Sequence, residues 1–369
     1  MPPRRRTRLA PLTAALVLAA AACSDAPTAV VFDEPVDLAG SWETASPEAV
    51  GMDRHALDRA VERAAGIPRF RSLLVVRRGR LVLERYFADA DAEELADVRS
   101  VTKSLVSTLT GLAVERGYLE GLDQTLGEIV PPGVAPLDSV ERRITLRNLL
   151  TMSGGWEWRE VGAAGYNEWV TSPDPLAHLL DRPHAYPPGT AFTYSSAAVH
   201  LLGVAVAEAS RRSLPTLAHE TLLGPLGVDA FGWETFPDGR ANGGAGARLR
   251  PRDLAKVGQL FLQDGVSGTR RVLPSGWVDQ ATRARWTWRN EVGPTDLSYG
   301  YLWWTDEVND AYLAWGYGGQ FIYVAPRRDL VVVTTTAWWQ VDGQSAPADL
   351  SIQVLDVVVN GVLPSAPTR

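Results

Sequence analysis

The sequence has 369 residues, of which 46% are hydrophobic and 21% are charged, and its formal net charge is -7 at pH 7. These proportions are typical of a globular protein with one large or two fused domains, and they exclude a disordered, collagen-like or coiled-coil chain. Nearly all of the basic clustering lies in four arginines within the first eight residues, so the rest of the chain is more acidic still. An acidic body offers no basic face to a phosphate backbone, which argues against a nucleic-acid partner.

Residues 1–23 have the pattern of a signal peptide. Their basic start is followed by an apolar stretch from Leu9 to Ala22, which is shorter than the ~20 residues of a membrane-spanning helix. The only cysteine, Cys23, follows three alanines where a lipoprotein signal peptidase cuts. We therefore predict cleavage before Cys23 and a lipid anchor to a membrane through its thiol, with plain secretion as the alternative. Either route makes the protein exported, periplasmic or at the cell surface.

Residues 24–40 contain two prolines and lack helical or strand periodicity. This pattern predicts a flexible linker between the anchor and a domain that spans residues 41–365. Because that domain contains no cysteine, no disulfide is available to it and its core is stabilised by packing alone.

The predicted elements of the domain begin with a helix between Asp53 and Gly66, where apolar residues recur at helical spacing. Two apolar runs follow, Leu73–Val76 and Leu81–Leu83, and they flank the dipeptide Arg78-Gly79. A glycine-containing turn between two apolar runs predicts a β-hairpin.

The region from about residue 97 to residue 290 is mostly helical runs broken by Gly and Pro, and strand-like runs return after it. The helical runs are Ser100–Arg116, Leu146–Met152, Ser196–Ala209 and Pro251–Leu262. The later runs are Tyr312–Trp315, Gln320–Val324 and Leu330–Thr335, before a last helix at Ala348–Val359. We therefore predict an α+β fold in which the N- and C-terminal parts complete one antiparallel sheet flanked by helices, with the helical region inserted and a cleft between them.

Several common catalytic motifs are absent from the sequence. It contains no G-x-S-x-G elbow, no H-E-x-x-H, no Walker loop and no G-x-G-x-x-G after a strand. The five histidines lack metal-ligand spacing among themselves. We therefore expect neither a metal nor an organic cofactor.

The sharpest chemical pattern is an S-x-x-K motif formed by Ser100 and Lys103 at the start of an apolar helix. Side chains three residues apart project from the same face of a helix. A lysine can take the proton of a serine only if it is partly neutral, and no acidic residue occurs between Asp97 and Glu115 to hold it charged. The alternative is a serine at a helix start beside a solvated lysine, because this short motif also arises by chance.

Two further features strengthen the catalytic interpretation. Tyr194 lies on a turn just before an apolar helix, from which its phenol can point into a cleft, although simple packing with Ser195 or Ser196 as a helix cap is the alternative. Glycines at Trp315–Gln320 lead into a strand, where a free backbone N–H can bind an oxyanion, although a β-bulge is the alternative.

In this order the three features resemble the serine β-lactamase-like hydrolases, a family that includes class C β-lactamases, D-alanyl carboxypeptidases, esterases and aminohexanoate-oligomer hydrolases. The resemblance runs from about Ala45 to Leu363, and it implies a β-lactamase/transpeptidase-like fold. Further segments carry it: Leu149–Gly155, Gly224–Gly227, Gly243–Gly246, Arg252–Ala255 and Tyr299–Trp304.

The resemblance also implies roles for individual residues. Ser100 is the acylated nucleophile, Lys103 its general base, and Tyr194 shares protons with Lys103 and protonates the leaving group. Ser196 is the third residue of a Y-x-S motif and hydrogen-bonds within the site. Tyr317, Gly318 and Gly319 stand at the K-T-G or H-x-G position on the strand that binds substrate. The backbone N–H groups of Ser100 and Gln320, or of the residue next to Gln320, form the oxyanion hole.

The sequence departs from the family pattern at Tyr317, which replaces a cationic Lys or His. This favours an esterase- or amidase-like serine hydrolase acting on a small ester, amide or lactam over a dedicated β-lactamase. The alternatives are a D,D-peptidase, a protein that binds β-lactams or cell-wall fragments without turnover, and a structural envelope lipoprotein. Six aromatic residues are candidates for an apolar pocket, with core packing as the alternative for each: Trp156, Trp158, Tyr166, Trp169, Trp286 and Trp288.

Overall fold

The computed structural model describes residues 34–161, 163–287, 293–339 and 347–368. The predicted signal peptide and Cys23 lie outside the described residues, as does Trp288. The strands of the described residues are β1 (Phe70–Arg77), β2 (Arg80–Tyr86), β3 (Ala96–Asp97), β4 (Gly232–Trp233), β5 (Ala247–Leu249), β6 (Val266–Ser267), β7 (Arg270–Arg271), β8 (Ser298–Tyr299), β9 (Trp304–Asp306), β10 (Ala311–Gly316), β11 (Gln320–Ala325) and β12 (Leu330–Thr336).

The described α-helices begin with one that is capped by Asp53, whose side chain accepts a hydrogen bond from Ala56 N. They are α1 (Arg54–Ala65), α2 (Val101–Glu115), α3 (Leu126–Ile129), α4 (Leu146–Leu150), α5 (Glu168–Val170), α6 (Pro175–Leu180), α7 (Ser196–Ser210), α8 (Leu214–Ala218), α9 (Pro251–Leu262), α10 (Trp277–Thr282) and α11 (Pro347–Asp356). The last predicted helix continues past α11 as a π-helical segment, Val357–Val362.

The large sheet has seven strands in the order β2-β1-β12-β11-β10-β9-β8, with antiparallel pairing throughout. The first strand of the chain pairs with the last, with Leu74 opposite Val333. The prediction of one antiparallel sheet completed by the two ends of the domain is therefore confirmed. The predicted hairpin is also present, and both turn residues, Arg78 and Gly79, have positive φ, as a two-residue turn of this hand requires.

Alternation along the strands divides the apolar side chains between the two faces of the sheet. Leu73 and Val75 belong to the core formed with α1 and α11. Leu74 and Val76 belong to the core on the other face, which α2, α7 and α9 share. The start of α2, which carries Ser100 and Lys103, therefore lies on the second face, where the inserted region packs against the sheet.

The inserted region is organised around α2, which is buried from Val101 to Ala113. A helix that is buried on all faces packs on every side, and α2 contacts both α7 and the sheet strand β10. Two small sheets, β3-β5-β4 and β6-β7, also lie in this region. Strands of two or three residues show no periodicity, and the sequence pattern did not predict them.

Part of the segment predicted as a linker packs against the domain. Leu38 is buried and its N–H donates to Ser267 Oγ, and the carbonyl of Val36 accepts a hydrogen bond from Gln263 Nε2. The ordered domain thus includes residues ahead of the predicted boundary at position 41. Within the ranges that the structure describes, no helix has both the length and the apolar character needed to cross a membrane.

Candidate active site

The start of α2 brings Ser100 and Lys103 together. Ser100 is the N-cap residue of the helix, and Arg99 before it has a φ of 50°, a conformation that costs free energy in a residue other than glycine. Arg99 is held there by a hydrogen bond from its N–H to Asp97 Oδ1, and its guanidinium lies over the rings of Tyr166 and Trp338. This turn directs the chain from β3 into α2.

Lys103 is 1% exposed and makes three hydrogen bonds through its amine. Its Nζ lies 2.8 Å from Ser100 Oγ, 2.8 Å from Ser196 Oγ and 2.7 Å from the carbonyl oxygen of Gly244. Burial lowers the pKa of Lys103 to about 7, with Glu160 opposing this shift and Arg99 adding to it. Near neutral pH a large fraction of this amine is therefore unprotonated and able to accept a proton.

Tyr194 completes the group from the turn that precedes α7. The next residue, Ser195, caps this helix by accepting a hydrogen bond from Ala198 N. The ring centroid of Tyr194 lies 5.0 Å from Lys103 Nζ. Burial and the carboxylate of Glu160 raise the pKa of the Tyr194 phenol above its usual value, against a hydrogen bond with Ser100 that lowers it. The phenol therefore stays protonated at neutral pH and can donate.

Ser196, the first residue of α7, connects Lys103 to a carboxylate. Its Oγ–H donates to Glu160 Oε1 and its backbone N–H donates to Glu160 Oε2 over 3.0 Å. A third donor, Trp158 Nε1, lies 2.8 Å from Glu160 Oε2. Neither Glu160 nor the Gly244 carbonyl was predicted from the sequence, although Gly244 belongs to one of the segments that resemble the serine β-lactamase-like hydrolases.

Within the segment Trp315–Gln320, the residue that packs beside the start of α2 is Gly316, which was not among the predicted site residues. Gly316, the last residue of β10, packs so closely on Val98 that an added Cβ would lie 2.2 Å from the Val98 carbonyl oxygen. Val98 is two residues before Ser100, so the end of β10 runs beside Ser100. Strand β9 covers this edge of β10 only from Ala311 to Leu313, and no other described strand pairs with the edge beyond it.

Gly318, Gly319 and Gln320 are directed toward β12 and not toward the uncovered edge of β10. The carbonyls of Gly318 and Gly319 accept hydrogen bonds from Thr336 Oγ1 and Thr334 Oγ1 on β12. Gln320 pairs with Gly316 across the hairpin, and its side chain binds Thr336. These three residues therefore do not lie along the uncovered edge as expected, because Gly318 and Gly319 belong to the turn between β10 and β11 and Gln320 is the first residue of β11.

Tyr317 lies at the junction between the strand end and this turn. The carbonyl of Gly316 accepts a hydrogen bond from Gly319 N, so the backbone polar groups of Gly316 face β11. The trans peptide bond that joins Gly316 to Tyr317 directs the Tyr317 N–H away from the Gly316 carbonyl, and therefore toward the uncovered edge. The Tyr317 carbonyl instead accepts a hydrogen bond from Gln320 Nε2. The Tyr317 side chain itself is exposed.

Most of the candidate pocket aromatics have structural contacts. Trp156 and Trp169 are buried in the core, and Trp286 Nε1 donates to the Thr151 carbonyl. Trp158 and Tyr166 contact the site indirectly, through Glu160 and Arg99. A different residue, Trp304, stacks on Tyr194 with ring centroids 6.1 Å apart.

One group of metal-ligand type occurs in the described part of the chain. Asp138, Glu141 and His184 have ligand atoms within 4.8 Å of one another. The two carboxylates already accept N–H hydrogen bonds, Asp138 from Val140 and Glu141, and Glu141 from Asp138 and Trp156. These contacts account for the two carboxylates as part of a stabilised turn, whereas the ring nitrogens of His184 are buried without a hydrogen-bond partner among the described residues.

The antiparallel sheet with its helical insertion defines a class of protein, the β-lactamase-fold hydrolases, which are generally serine hydrolases. The sequence model of the family described as Beta-lactamase matches residues 57–354, and the chain belongs to this family.

Individual relatives support the same assignment. A 6-aminohexanoate-dimer hydrolase from Paenarthrobacter ureafaciens is 25% identical over 295 residues, 72% of each chain. Two solved structures share the fold. A candidate 6-aminohexanoate-dimer hydrolase from Bacillus anthracis has a TM-score of 0.71 at 18% identity and covers 89% of this chain and 88% of its own. A family VIII carboxylesterase has a TM-score of 0.62 at 16% identity and covers 83% and 99%.

Proposed function

We propose that this protein is an exported serine hydrolase that cleaves a carboxylic ester, amide or lactam through an acyl-enzyme on Ser100. The observation that carries the proposal is the 2.8 Å contact between Lys103 Nζ and Ser100 Oγ. The same lysine is buried, and its pKa is lowered to about 7. A base within hydrogen-bond reach of a hydroxyl and half neutral at the working pH is what activation of a serine requires.

Acylation begins when the unprotonated amine of Lys103 takes the proton of Ser100 Oγ. The oxygen attacks the substrate carbonyl carbon, and the carbonyl π electrons move onto oxygen to form a tetrahedral oxyanion. Two backbone N–H groups stabilise this charge. We assign the first to Ser100 and the second to Tyr317, whose N–H faces the uncovered edge of β10, instead of Gln320.

Collapse of the tetrahedral intermediate breaks the bond to the leaving group. The proton held by Lys103 returns through the Tyr194 hydroxyl to the departing oxygen or nitrogen, which leaves as an alcohol or amine. Water then attacks the ester on Ser100 and gives its proton to Lys103. The bond between the carbonyl carbon and Ser100 Oγ then breaks, the acid leaves, and Lys103 returns this proton to Ser100 Oγ to restore the hydroxyl.

Esters and linear amides are the preferred substrates in this proposal. The uncovered end of β10 carries Trp315 and Tyr317 where a lysine or histidine would hold the carboxylate of a β-lactam or peptide. The relative from Paenarthrobacter ureafaciens is, by its name, a hydrolase of the 6-aminohexanoate dimer. Stacked aromatic rings at Tyr194 and Trp304 provide an apolar wall for such a chain.

The decisive experiment compares Ser100→Ala with Ser107→Ala, a serine on the same helix that is buried and whose Oγ has no partner. Each protein is given p-nitrophenyl butyrate, the linear 6-aminohexanoate dimer and nitrocefin. We expect Ser100→Ala alone to lose all turnover and all labelling by a fluorophosphonate. Retained turnover in Ser100→Ala would require another nucleophile, and faster turnover of nitrocefin than of the ester would overturn the substrate preference.

The lifetime of a penicillin adduct distinguishes the hydrolase from a non-turnover binder. Mass spectrometry after mixing with a fluorescent penicillin follows the acylated protein over time. Loss of any adduct within minutes supports hydrolysis. An adduct that persists for hours, together with no turnover of the ester and the amide, would instead support a binding protein.

Export rests on the pattern of residues 1–23 alone. A Cys23→Ser variant expressed with its leader is expected to lose incorporation of labelled palmitate and to leave the membrane fraction. Plain secretion would be favoured if the unmodified protein incorporates no labelled palmitate and the Cys23→Ser variant fractionates as the unmodified protein does.

A further inference from the structure

Glu160 lies directly behind the residues assigned to proton transfer. Its two carboxylate oxygens accept hydrogen bonds from Ser196 Oγ, Ser196 N and Trp158 Nε1. It does not touch Lys103, but Ser196 Oγ lies between the two and accepts from Lys103 Nζ over 2.8 Å. The carboxylate is therefore in position to act on the lysine through one hydroxyl.

A count of hydrogens shows what this contact does when Lys103 is neutral. An unprotonated amine has two hydrogens and one lone pair, and Lys103 has three neighbours. The Gly244 carbonyl can only accept. Ser196 Oγ has donated its single hydrogen to Glu160 and can also only accept from Lys103. Both amine hydrogens are thus committed, and the lone pair is left for Ser100, the only neighbour with a hydrogen to give.

We propose that Glu160 is a positioning residue that fixes the hydroxyl of Ser196 as an acceptor and thereby directs the lone pair of Lys103 to Ser100. This inference deepens the proposed function and rests on it. Without the carboxylate, the Ser196 hydroxyl is free to turn its hydrogen toward Lys103. The lone pair would then be occupied by Ser196, and an amine hydrogen would face Ser100.

Besides orienting the Ser196 hydroxyl, Glu160 acts through its charge on the pKa of Lys103, and the two effects can be measured separately. The charged and titratable groups near Lys103 are Glu160, Arg99 and Tyr194, and beyond them lie Asp97, Tyr166 and Tyr299. Glu160 raises the pKa of Lys103 and Arg99 lowers it. Removing the carboxylate therefore favours the neutral amine and moves the acid limb of the activity profile to lower pH, although the lone pair is misdirected.

The test is a double-mutant cycle with Glu160→Gln and Ser196→Ala, measured as kcat/KM for p-nitrophenyl butyrate from pH 5.5 to 9. Glutamine is a suitable replacement because one carbonyl oxygen cannot accept from all three donors and its NH2 group cannot accept. Glu157→Gln, an exposed acid three residues away, makes the same charge change and is the matched control. Circular dichroism and thermal unfolding establish that each variant is folded.

We expect Glu160→Gln to lower the plateau of kcat/KM by about 10- to 100-fold, a part of what a positioned general base contributes, and to move the acid limb to lower pH. In the Ser196→Ala background the same change moves the limb but lowers the plateau less than about 2-fold. Glu157→Gln changes neither. An unchanged plateau in Glu160→Gln, or an equal loss in both backgrounds, would disprove action through the Ser196 hydroxyl.

The outcomes distinguish this inference from the proposed function. If Ser100→Ala keeps turnover, the hydrolase mechanism fails and the inference with it. If Ser100→Ala is inactive and the cycle is additive, only the inference fails. Should Glu160→Gln not fold, Ser196→Ala alone decides. It removes the acceptor to which one amine hydrogen of Lys103 is committed, so the lone pair is no longer directed to Ser100, and a plateau equal to that of the unmodified protein overturns the proposal.

Discussion

In the proposed mechanism, the ionisation of Lys103 determines how activity depends on pH. The group that must lose a proton before catalysis is an amine whose ordinary pKa is 10.5 and whose burial lowers it to about 7. Only the neutral amine accepts the proton of Ser100, so kcat/KM follows the unprotonated fraction. We therefore expect activity to rise with pH through 7 and then to level off.

The magnitude follows from the titration of a single group. With a pKa of about 7, roughly 3% of the amine is neutral at pH 5.5 and nearly all of it at pH 9, so kcat/KM increases about 30-fold across this range. The phenol of Tyr194 has a raised pKa, so loss of its proton produces no alkaline decline below about pH 10. The expected profile is a single rise with a plateau.

Two measurements test this profile independently of each other. One is kcat/KM for p-nitrophenyl butyrate across the pH range, corrected for spontaneous hydrolysis. The other is the direct titration of Lys103 by NMR of protein labelled at lysine Cε, which is simple because the sequence contains only two lysines, Lys103 and Lys256. A Lys256→Met variant assigns the signals and serves as the matched control for activity.

The reasoning is refuted if kcat/KM still rises tenfold per pH unit between pH 8 and 9.5, because the amine would then have an ordinary pKa. A flat profile from pH 5.5 to 9 would exclude the amine as the base. A plateau in activity combined with an NMR midpoint above pH 9 would mean that another group controls the rate.

Three further predictions concern stability, the leaving group and the strand end. Since folded Lys103 deprotonates near pH 7 and unfolded lysine near 10.5, the free energy of unfolding in urea, relative to that of Lys103→Met, rises by about 1.4 kcal/mol per pH unit between pH 8 and 9.5; a constant difference would show that the buried amine stays charged. Tyr194→Phe is expected to lower kcat/KM about 100-fold for an ethyl ester but less than 10-fold for a p-nitrophenyl ester, whose leaving group needs no proton; equal losses would contradict its role as acid. Gly316→Ala puts a Cβ 2.2 Å from the Val98 carbonyl oxygen and should lower kcat/KM about 100-fold by displacing an oxyanion donor. The control is Gly121→Ala, which has nothing within 4 Å of the added Cβ and should leave steady-state rates unchanged. Similar rates in the two variants would place the oxyanion donor elsewhere.

Local periodicity was sufficient to predict the parts of the fold and site that depend on neighbours in sequence. Ser100 and Lys103 are one helical turn apart, so their proximity follows from the helix itself. The apolar runs of β1 and β12 likewise predict buried strands. The approach of Tyr194 to α2 joins residues 94 positions apart, and only the family resemblance anticipated it.

The position of Gly318, Gly319 and Gln320, which differs from the expectation, illustrates what a sequence pattern leaves undetermined. Glycines occur at 316, 318 and 319, and any of them is compatible with a close approach to a ligand. The choice depends on the pairing of Gly316 with Gln320, which is a property of the hairpin register and not of either residue. Glu160 was missed for a related reason, since it lies in an irregular loop with no periodicity and 36 residues from its partner Ser196.

The separation between Glu160 and Lys103 reconciles two needs of the site. A carboxylate in direct contact would favour the charged amine and raise its pKa, which would leave little neutral base near pH 7. With no carboxylate nearby, the Ser196 hydroxyl would lack an acceptor that fixes its direction. One serine between the two groups keeps the charge at a distance while passing on its orientation, so a lysine can be both firmly held and partly neutral.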